Sequence, residues 1–160
     1  MRRLGILFPG IAVLALVNYS IYQKEQLLAN GRVVFLELAP VDPRSLMQGD
    51  YMALRFALQN AVLSSGNLRD GHIVVGLDTR GVATFRRIDD TTPLAADELK
   101  LFYRVREKDV KLGTNAFFFQ EGDASHYSGA RYGEARIDND GQLLLTGLRD
   151  ESLRKLGPQN

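Results

Sequence analysis

The densest group of residues that could do chemistry lies between positions 40 and 51 of the chain. Pro40 and Pro43 stiffen a connection that ends at Gly49 and Asp50. If strand alternation begins at Asp50, its carboxylate points toward the apolar face and needs a partner, because an unpaired buried charge is costly. Arginine suits this role, since a guanidinium binds a carboxylate through two parallel hydrogen bonds. The candidate partners are Arg44, Arg131 and Arg149. The clamp is either structural or part of a ligand site.

A second group of possible ligands comprises Glu121, Asp123 and His126, which place carboxylate and imidazole donors within six positions. They form either a metal site or a polar loop. The loop is favoured, because metal sites recruit three or four protein ligands and His72, the other histidine, is remote in sequence. Residues 138–141 begin like a calcium loop but lack its downstream glutamate, which favours a hairpin turn. We therefore expect no metal and no cofactor.

A serine nucleophile is a third possibility, because Ser45, followed by Arg86 and Arg87, weakly resembles the membrane signal peptidases. That chemistry requires a serine activated by a lysine that loses its proton in a desolvated site, whereas arginine stays charged. Ser45 is therefore favoured as a turn residue whose hydroxyl bonds the local backbone. A degenerate signal-peptidase-like domain stays an alternative.

The segment after Arg131 places Tyr132, Glu134 and Arg136 on one face of a predicted strand. This face is either exposed alternating charge or one wall of a polar groove beside the Asp50 loop. Such a groove would suit a peptide or small ligand.

The element that positions these residues in the cell is an apolar stretch over residues 4–22, preceded by Arg2 and Arg3. About twenty residues at about 1.5 Å each cover the hydrocarbon core of a bilayer, which predicts a single transmembrane helix in contact with membrane lipid. A cleavable signal peptide is the alternative, but no small-x-small pair follows Ala15. The leading arginines favour the cytoplasmic side, so we expect residues 24–160 to lie outside the inner membrane.

The composition beyond this stretch argues for one near-neutral domain. Residues 32–160 hold 17 of the 20 basic and 18 of the 19 acidic side chains, interspersed. No concentrated positive surface is available for phosphates, so nucleic acid is not an expected partner. About 130 residues suffice for one core. We expect residues 1–30 to form the membrane anchor with a short juxtamembrane helix ending near Gly31, and residues 31–160 to form the outer domain.

The periodicity of the outer domain is that of strands. Residues 32–38 are nearly all apolar, which predicts a strand covered on both faces, and residues 51–58 alternate. Residues 72–77 and 82–88 predict one hairpin around Gly81, and residues 131–137 and 142–148 predict a second. Further strands are expected over 101–107 and 117–119. Short helices are expected over 92–99 and 149–156, and residues 57–64 are ambiguous. The prediction is a mainly β domain, an antiparallel barrel or sandwich with one to three short helices.

The run GDYMALRF, residues 49–56, resembles the signature of the GDYXXLXY proteins, a group of bacterial membrane-associated proteins. Residues 41–44, 117–122, 130–134 and 147–150 also resemble family segments. The resemblance marks as motif or binding residues Asp42, Arg44, Gly49, Asp50, Tyr51, Leu54, Glu121, Arg131, Tyr132, Glu134, Arg149 and Asp150. It implies an anchored domain at the bacterial inner membrane, associated with multi-span membrane proteins. Phe56 stands where the family usually has tyrosine, which keeps the packing and loses the hydroxyl.

Two classes of function follow from these observations. The first, which we favour, is a non-catalytic anchored domain that binds or regulates a multi-span membrane protein. The second is an envelope hydrolase that uses carboxylates such as Asp50, Glu121 and Glu134. The separation of these carboxylates in space distinguishes the two classes.

Overall fold

The computed structural model describes residues 4–39, 47–48, 51–66, 69–114 and 116–158, with backbone alone for residues 4–9 and 47–48. Two helices are present in this part of the chain, α1 (Leu4–Asn30) and α2 (Ala57–Ser64). The strands that start before position 100 are β1 (Arg32–Glu37), β2 (Met47–Gln48), β3 (Tyr51–Ala53), β4 (Gly71–Leu77), β5 (Val82–Ile88) and β6 (Glu98–Arg106). The later strands are β7 (Asp109–Lys111), β8 (Ala116–Phe118), β9 (Tyr132–Ile137) and β10 (Leu143–Arg149), and a 3-10 turn covers Asp123–Tyr127.

Helix α1 ends where the sequence predicts, immediately before Gly31. The Gly31 N–H donates to the Leu27 carbonyl over 2.9 Å, and Leu27 is buried against the domain. A Cβ at position 31 would lie 2.4 Å from the Leu27 carbonyl oxygen, so glycine permits this close junction. The Arg136 guanidinium also donates to the Gly31 carbonyl over 3.2 Å. The last turn of α1 is therefore fastened to β9.

Across the described residues, no helix is both long enough and apolar enough to cross a bilayer. The predicted transmembrane helix therefore lacks support in the structure.

The fold is mainly β, as predicted, and is built on a curled half-barrel sheet. Seven strands follow the order β10-β9-β1-β5-β4-β6-β7, and a small second sheet has the order β2-β3-β8. The expectation of a wholly antiparallel barrel or sandwich is wrong, because β1 and β5 pair in parallel with Phe35 opposite Val82. The other pairings in both sheets are antiparallel.

The curl brings the β9–β10 turn against β6. The Phe102 N–H donates to the Gly141 carbonyl over 2.8 Å. Gly141 has φ +76°, and an added Cβ would lie 3.0 Å from the Lys100 carbonyl oxygen, so both the turn and the close approach require glycine. Nearby, an added Cβ at Gly113 would meet the Leu143 side chain at 2.6 Å. Contacts between the two ends of the sheet therefore hold it in its curved form.

Both predicted hairpins are confirmed, with β4–β5 and β9–β10 paired and Gly81 at φ +81°. The alternating residues Met52, Leu54, Phe56 and Leu58 are all buried, as expected. However, they do not form one strand, because β3 ends at Ala53 and α2 begins at Ala57. The cause is a local cap: the Gln59 side-chain carbonyl accepts from the Phe56 N–H over 2.6 Å, while its amide donates to the Val110 carbonyl.

Three further expectations are wrong. No helix forms over 92–99, because the chain there is a loop until β6 begins at Glu98. None forms over 149–156, because the Asp150 carboxylate accepts the N–H groups of Ser152 and Arg154, which closes a turn. Strand β1 is not covered on both faces, since Val34 and Leu36 are buried while Val33 is 39% exposed.

Candidate functional site

The small sheet presents an aromatic edge next to the core. Tyr51 opens β3 and pairs with Phe118 of β8, and the two ring centroids lie 5.9 Å apart. Phe118 is 72% exposed, whereas Phe117 and Phe119 pack against the buried Tyr127 at 5.1 and 5.4 Å between centroids. Strand alternation explains this division, because neighbouring residues point to opposite faces. The exposed Phe118 and the partly buried Tyr51 thus form an aromatic pair, which we call the aromatic edge.

Leu54 and Phe56 continue from β3 into the core. Phe56 is fully buried, and an ideal Cβ placed on Gly133 would lie 2.9 Å from its Cε1 atom. Leu38 also bridges to Phe56, and the Leu38 N–H donates to the Arg131 carbonyl over 2.9 Å. Phe56 therefore packs segment 51–56 directly onto β9, and its surroundings are those of a core residue.

The predicted face of β9 is confirmed. Tyr132, Glu134 and Arg136 point away from the core, because Gly133 and Ala135, which alternate with them, are buried. Arg136 donates to the end of α1, as described above, so the face is divided between a helix junction at one end and a charged cluster at the other.

The charged cluster is centred on Arg149, which lies opposite Tyr132 on β10. The Arg149 Nε atom donates to Glu134 Oε2 over 2.5 Å, and its Nη2 atom contacts the same oxygen. Its Nη1 atom donates to the Leu153 carbonyl over 3.3 Å, and the guanidinium lies 5.8 Å from the Phe35 ring centroid. Both charged side chains are largely buried, so the fold satisfies this pair internally.

The family model described as GDYXXLXY protein matches residues 13–148. The chain belongs to the GDYXXLXY family. Neither the curated proteins nor the solved structures include a match to it. The description of the GDYXXLXY family names no activity.

Three of the residues predicted for the site lie in or next to turns: Asp150, Arg131 and Glu121. The Asp150 pKa is held below its usual value, first by the Arg154 N–H and then by the Arg154 side chain, whose Nε atom donates to Asp150 over 2.8 Å. The Arg131 backbone is bonded on both sides, since its N–H donates to the Arg149 carbonyl over 2.8 Å, and its side chain is exposed. Glu121 is exposed in the turn that precedes the 3-10 segment.

The possible metal ligands do not converge. His126 Nδ1 lies 3.6 Å from Asp123 Oδ1, which is a single contact between neighbours in the 3-10 turn. Within the described ranges, no three histidine, aspartate or glutamate side chains are arranged to hold a metal ion. Asp123 and His126 therefore belong to a polar turn in this part of the chain.

The remaining predicted positions, Asp42, Arg44, Gly49 and Asp50, lie outside the described residues, as does Ser45. The Asp50 clamp and the groove beside it therefore stay predictions. One of the three candidate arginines, Arg149, already has a carboxylate partner in Glu134. Arg86 and Arg87, which were part of the resemblance to signal peptidases, form ion pairs with Asp97 and Glu98 respectively.

Sequence reasoning missed two features of the surface. One is the exposure of Phe118, which strand alternation in 117–119 could have indicated. The other is a polar network on the outer face of β4–β6, in which Lys100 donates to Asp89 over 2.7 Å and Arg87 donates to Glu98 over 2.7 Å. Lys100 is the first cause of a lowered Asp89 pKa, and Arg87 is the first cause of a lowered Glu98 pKa. Alternating polar positions in β5 and β6 were the available signal.

Proposed function

We propose that this protein is a membrane-associated, non-catalytic accessory domain that binds an integral membrane protein on the outer side of the bacterial inner membrane. The observation that carries the membrane part is the surface of α1. Its large apolar side chains are exposed over two turns and more, and they include Ile11, Val13, Leu14, Leu16 and Val17. Successive residues of a helix are separated by about 100°, so these side chains lie on every side of α1. A helix that is apolar all round suits an apolar surrounding.

The magnitude of this exposure supports the proposal. Burying a valine, leucine or isoleucine side chain stabilises by about 1.5–3 kcal/mol relative to leaving it in water. Five such side chains together represent roughly 10 kcal/mol, comparable to the whole stability of a domain. Over residues 4–9 the proposal rests on the sequence, where leucine, isoleucine and phenylalanine extend the apolar series.

The orientation rests on charge. Arg2 and Arg3 precede the apolar series, and positive residues are retained preferentially on the cytoplasmic side. Lys24 on the other flank weakens this bias. Residues 31–160 would then face the periplasm or the cell exterior.

The partner part of the proposal rests on the aromatic edge. An exposed aromatic side chain supplies contact area at low conformational cost, and aromatic residues are enriched at protein interfaces. Phe118 is the most exposed large apolar side chain described outside α1, and it stands beside Tyr51 of the GDYXXLXY signature. We place the contact with a multi-span membrane protein at this edge.

Membrane association is tested with two matched substitutions in the full chain. Val13→Arg places a charge at the middle of the apolar series, where Val13 is 58% exposed; Val33→Arg makes the same change on β1, at 39% exposure. An arginine at the centre of a bilayer costs about 2.5–3.5 kcal/mol on insertion scales. We expect V13R to move the protein from the carbonate-resistant membrane fraction to the supernatant and V33R to leave it in place. Equal distribution of V13R, V33R and the unchanged chain in the supernatant would refute membrane association.

The partner is tested by photo-crosslinking in living cells. A photo-reactive residue replaces Phe118 in one variant and the exposed Thr84 of β5 in another. We expect a discrete adduct with a multi-span membrane protein from position 118 and none from position 84. An identical adduct pattern from both positions, or none from position 118, would count against a docking role for the aromatic edge.

A further inference from the structure

A groove lies between the last turns of α1 and the β9–β10 turn. Its volume is about 930 Å³, and its helix side is lined by Tyr19, Tyr22 and Lys24. The opposite side includes Arg32, Leu94 and Asp140. Because Leu27 and Gly31 fasten the end of α1 to the domain, both walls are held by the same junction.

The charges along the groove divide into two groups. Three charged residues of the groove already have partners: Glu98 pairs with Arg87, Lys100 pairs with Asp89, and the Asp138 carboxylate accepts from the backbone N–H groups of Asp140 and Gln142. By contrast, the side chains of Lys24, Arg32 and Asp140 form no hydrogen bond or ion pair with any residue that the structure describes. Two positive side chains and one negative side chain thus line the groove without a partner among the described residues.

The apolar side of the groove is formed by Tyr19, Tyr22 and Leu94, and Leu94 is 41% exposed. The two tyrosines continue directly from the apolar surface of α1, and Leu94 faces them from the loop before β6. Tyrosine side chains are enriched at the boundary between lipid and water, where their rings lie at the level of the headgroups. The groove is therefore apolar where it meets the lipid-facing surface of α1 and charged where it meets the domain.

From this pattern we propose that the groove binds one phospholipid whose headgroup carries both a phosphate and a primary ammonium, as in phosphatidylethanolamine. The inference rests on the proposed seating of α1 in lipid. Lys24 and Arg32 contact the phosphate through charge-assisted hydrogen bonds, and the Asp140 carboxylate accepts from the ammonium. A quaternary ammonium has no N–H to donate, and an anionic headgroup leaves Asp140 without a counter-charge. Both alternatives therefore fit less well.

The experiment has two arms, both with the full chain. In the first, flotation with phosphatidylcholine vesicles tests whether the protein associates with lipid at all. In the second, vesicles contain phosphatidylcholine mixed with either phosphatidylethanolamine or phosphatidylglycerol, with matched acyl chains. The protein is then released into mild detergent, and native mass spectrometry records which lipid stays bound.

The variants are matched in charge. Lys24→Gln and Asp140→Asn remove the two kinds of contact, and Lys108→Gln and Glu151→Gln make the same charge changes at exposed positions outside the groove. We expect retained lipid to favour phosphatidylethanolamine over phosphatidylcholine by about three- to fivefold, the scale of a solvent-exposed charge pair. We expect D140N to remove this preference, K24Q to lower total retention, and the two controls to change neither.

Equal retention of the three lipids, or a preference that D140N leaves unchanged, would overturn the inference while the proposed function stands. Failure to float with phosphatidylcholine vesicles would instead refute the seating of α1 in lipid. Lipid-free protein in every mixture would also overturn the inference.

Discussion

Replacement of Gly133 by alanine probes the contact that joins the signature segment to β9. The new Cβ would lie 2.9 Å from Leu145 Cδ1 and 2.9 Å from Phe56 Cε1, closer than side-chain carbons normally approach. The Phe56 ring is fully buried and has no solvent into which it can turn. Inserting a methyl group into a packed core costs about 1–3 kcal/mol, and the lower entropy of an unfolded alanine chain offsets about 0.4–1 kcal/mol of this. We expect a net loss of about 1–2 kcal/mol, or about 2–8 °C in Tm for a chain of this length.

The assay is urea unfolding of the full chain in mild detergent, followed by far-ultraviolet circular dichroism because the chain has no tryptophan. Gly147→Ala is the matched control, since a Cβ there meets nothing within 4 Å, and it should leave stability unchanged or slightly raised. Phe56→Leu removes the ring atoms that obstruct the methyl group. The double variant G133A/F56L should therefore lose at least about 0.5 kcal/mol less than the sum of the single losses. Equal stability of G133A and G147A, together with additive losses in the double variant, would refute this account of the contact.

Three other changes test the remaining contacts. Glu134→Gln leaves the Arg149 guanidinium, largely buried, without its carboxylate, so unfolding in urea should show a loss of about 1–3 kcal/mol; no loss would mean that the pair contributes nothing. Asp89→Asn removes a carboxylate whose pKa is lowered chiefly by Lys100. The folding stability that this carboxylate contributes is complete above its unfolded pKa of about 3.9, and it is lost as the pH falls through the lower folded pKa. Acid titration of D89N should therefore show a shallower loss of stability below about pH 4 than the unchanged chain, and an identical slope would contradict the assignment. Gly141→Ala combines φ +76° with a Cβ 3.0 Å from neighbouring backbone, so thermal unfolding should show a loss above about 1 kcal/mol, and an unchanged Tm would exclude strain there.

The parts of the fold that the sequence predicts are those set by local chemistry. Gly81 and Gly141 have positive φ at the two hairpin turns, where the pattern of turn residues between β-like runs located them. The end of α1 at Gly31 has a different cause, because a Cβ at this position would lie 2.4 Å from the Leu27 carbonyl oxygen. The alternating face of β9 was also predictable, because Tyr132 and Glu134 are separated by the two-residue period of a strand.

The parts that the sequence does not predict depend on partners that are distant in the chain. The parallel pairing of Phe35 with Val82 cannot be read from periodicity, because alternation does not report the direction of a neighbouring strand. Likewise, the strand pattern over 51–58 is interrupted because Gln59 bonds the distant Val110 carbonyl and caps α2. The Glu134–Arg149 pair was missed for the same reason: it exists only once β9 and β10 are in register.

The positions of the GDYXXLXY residues separate the structural role of the signature from its exposed surface. Leu54 and Phe56 are buried, and Phe56 occupies space that a side chain at Gly133 would need. This packing depends on ring volume, so it accounts for an aromatic residue at position 56 without requiring a hydroxyl. Tyr51 differs, because it is only partly buried and its ring lies beside that of the exposed Phe118 on the edge strand β8. Within the described part of the signature, Phe56 packs the segment after β3 and the start of α2 against β9, whereas Tyr51 belongs to the aromatic edge at which we propose that a partner binds.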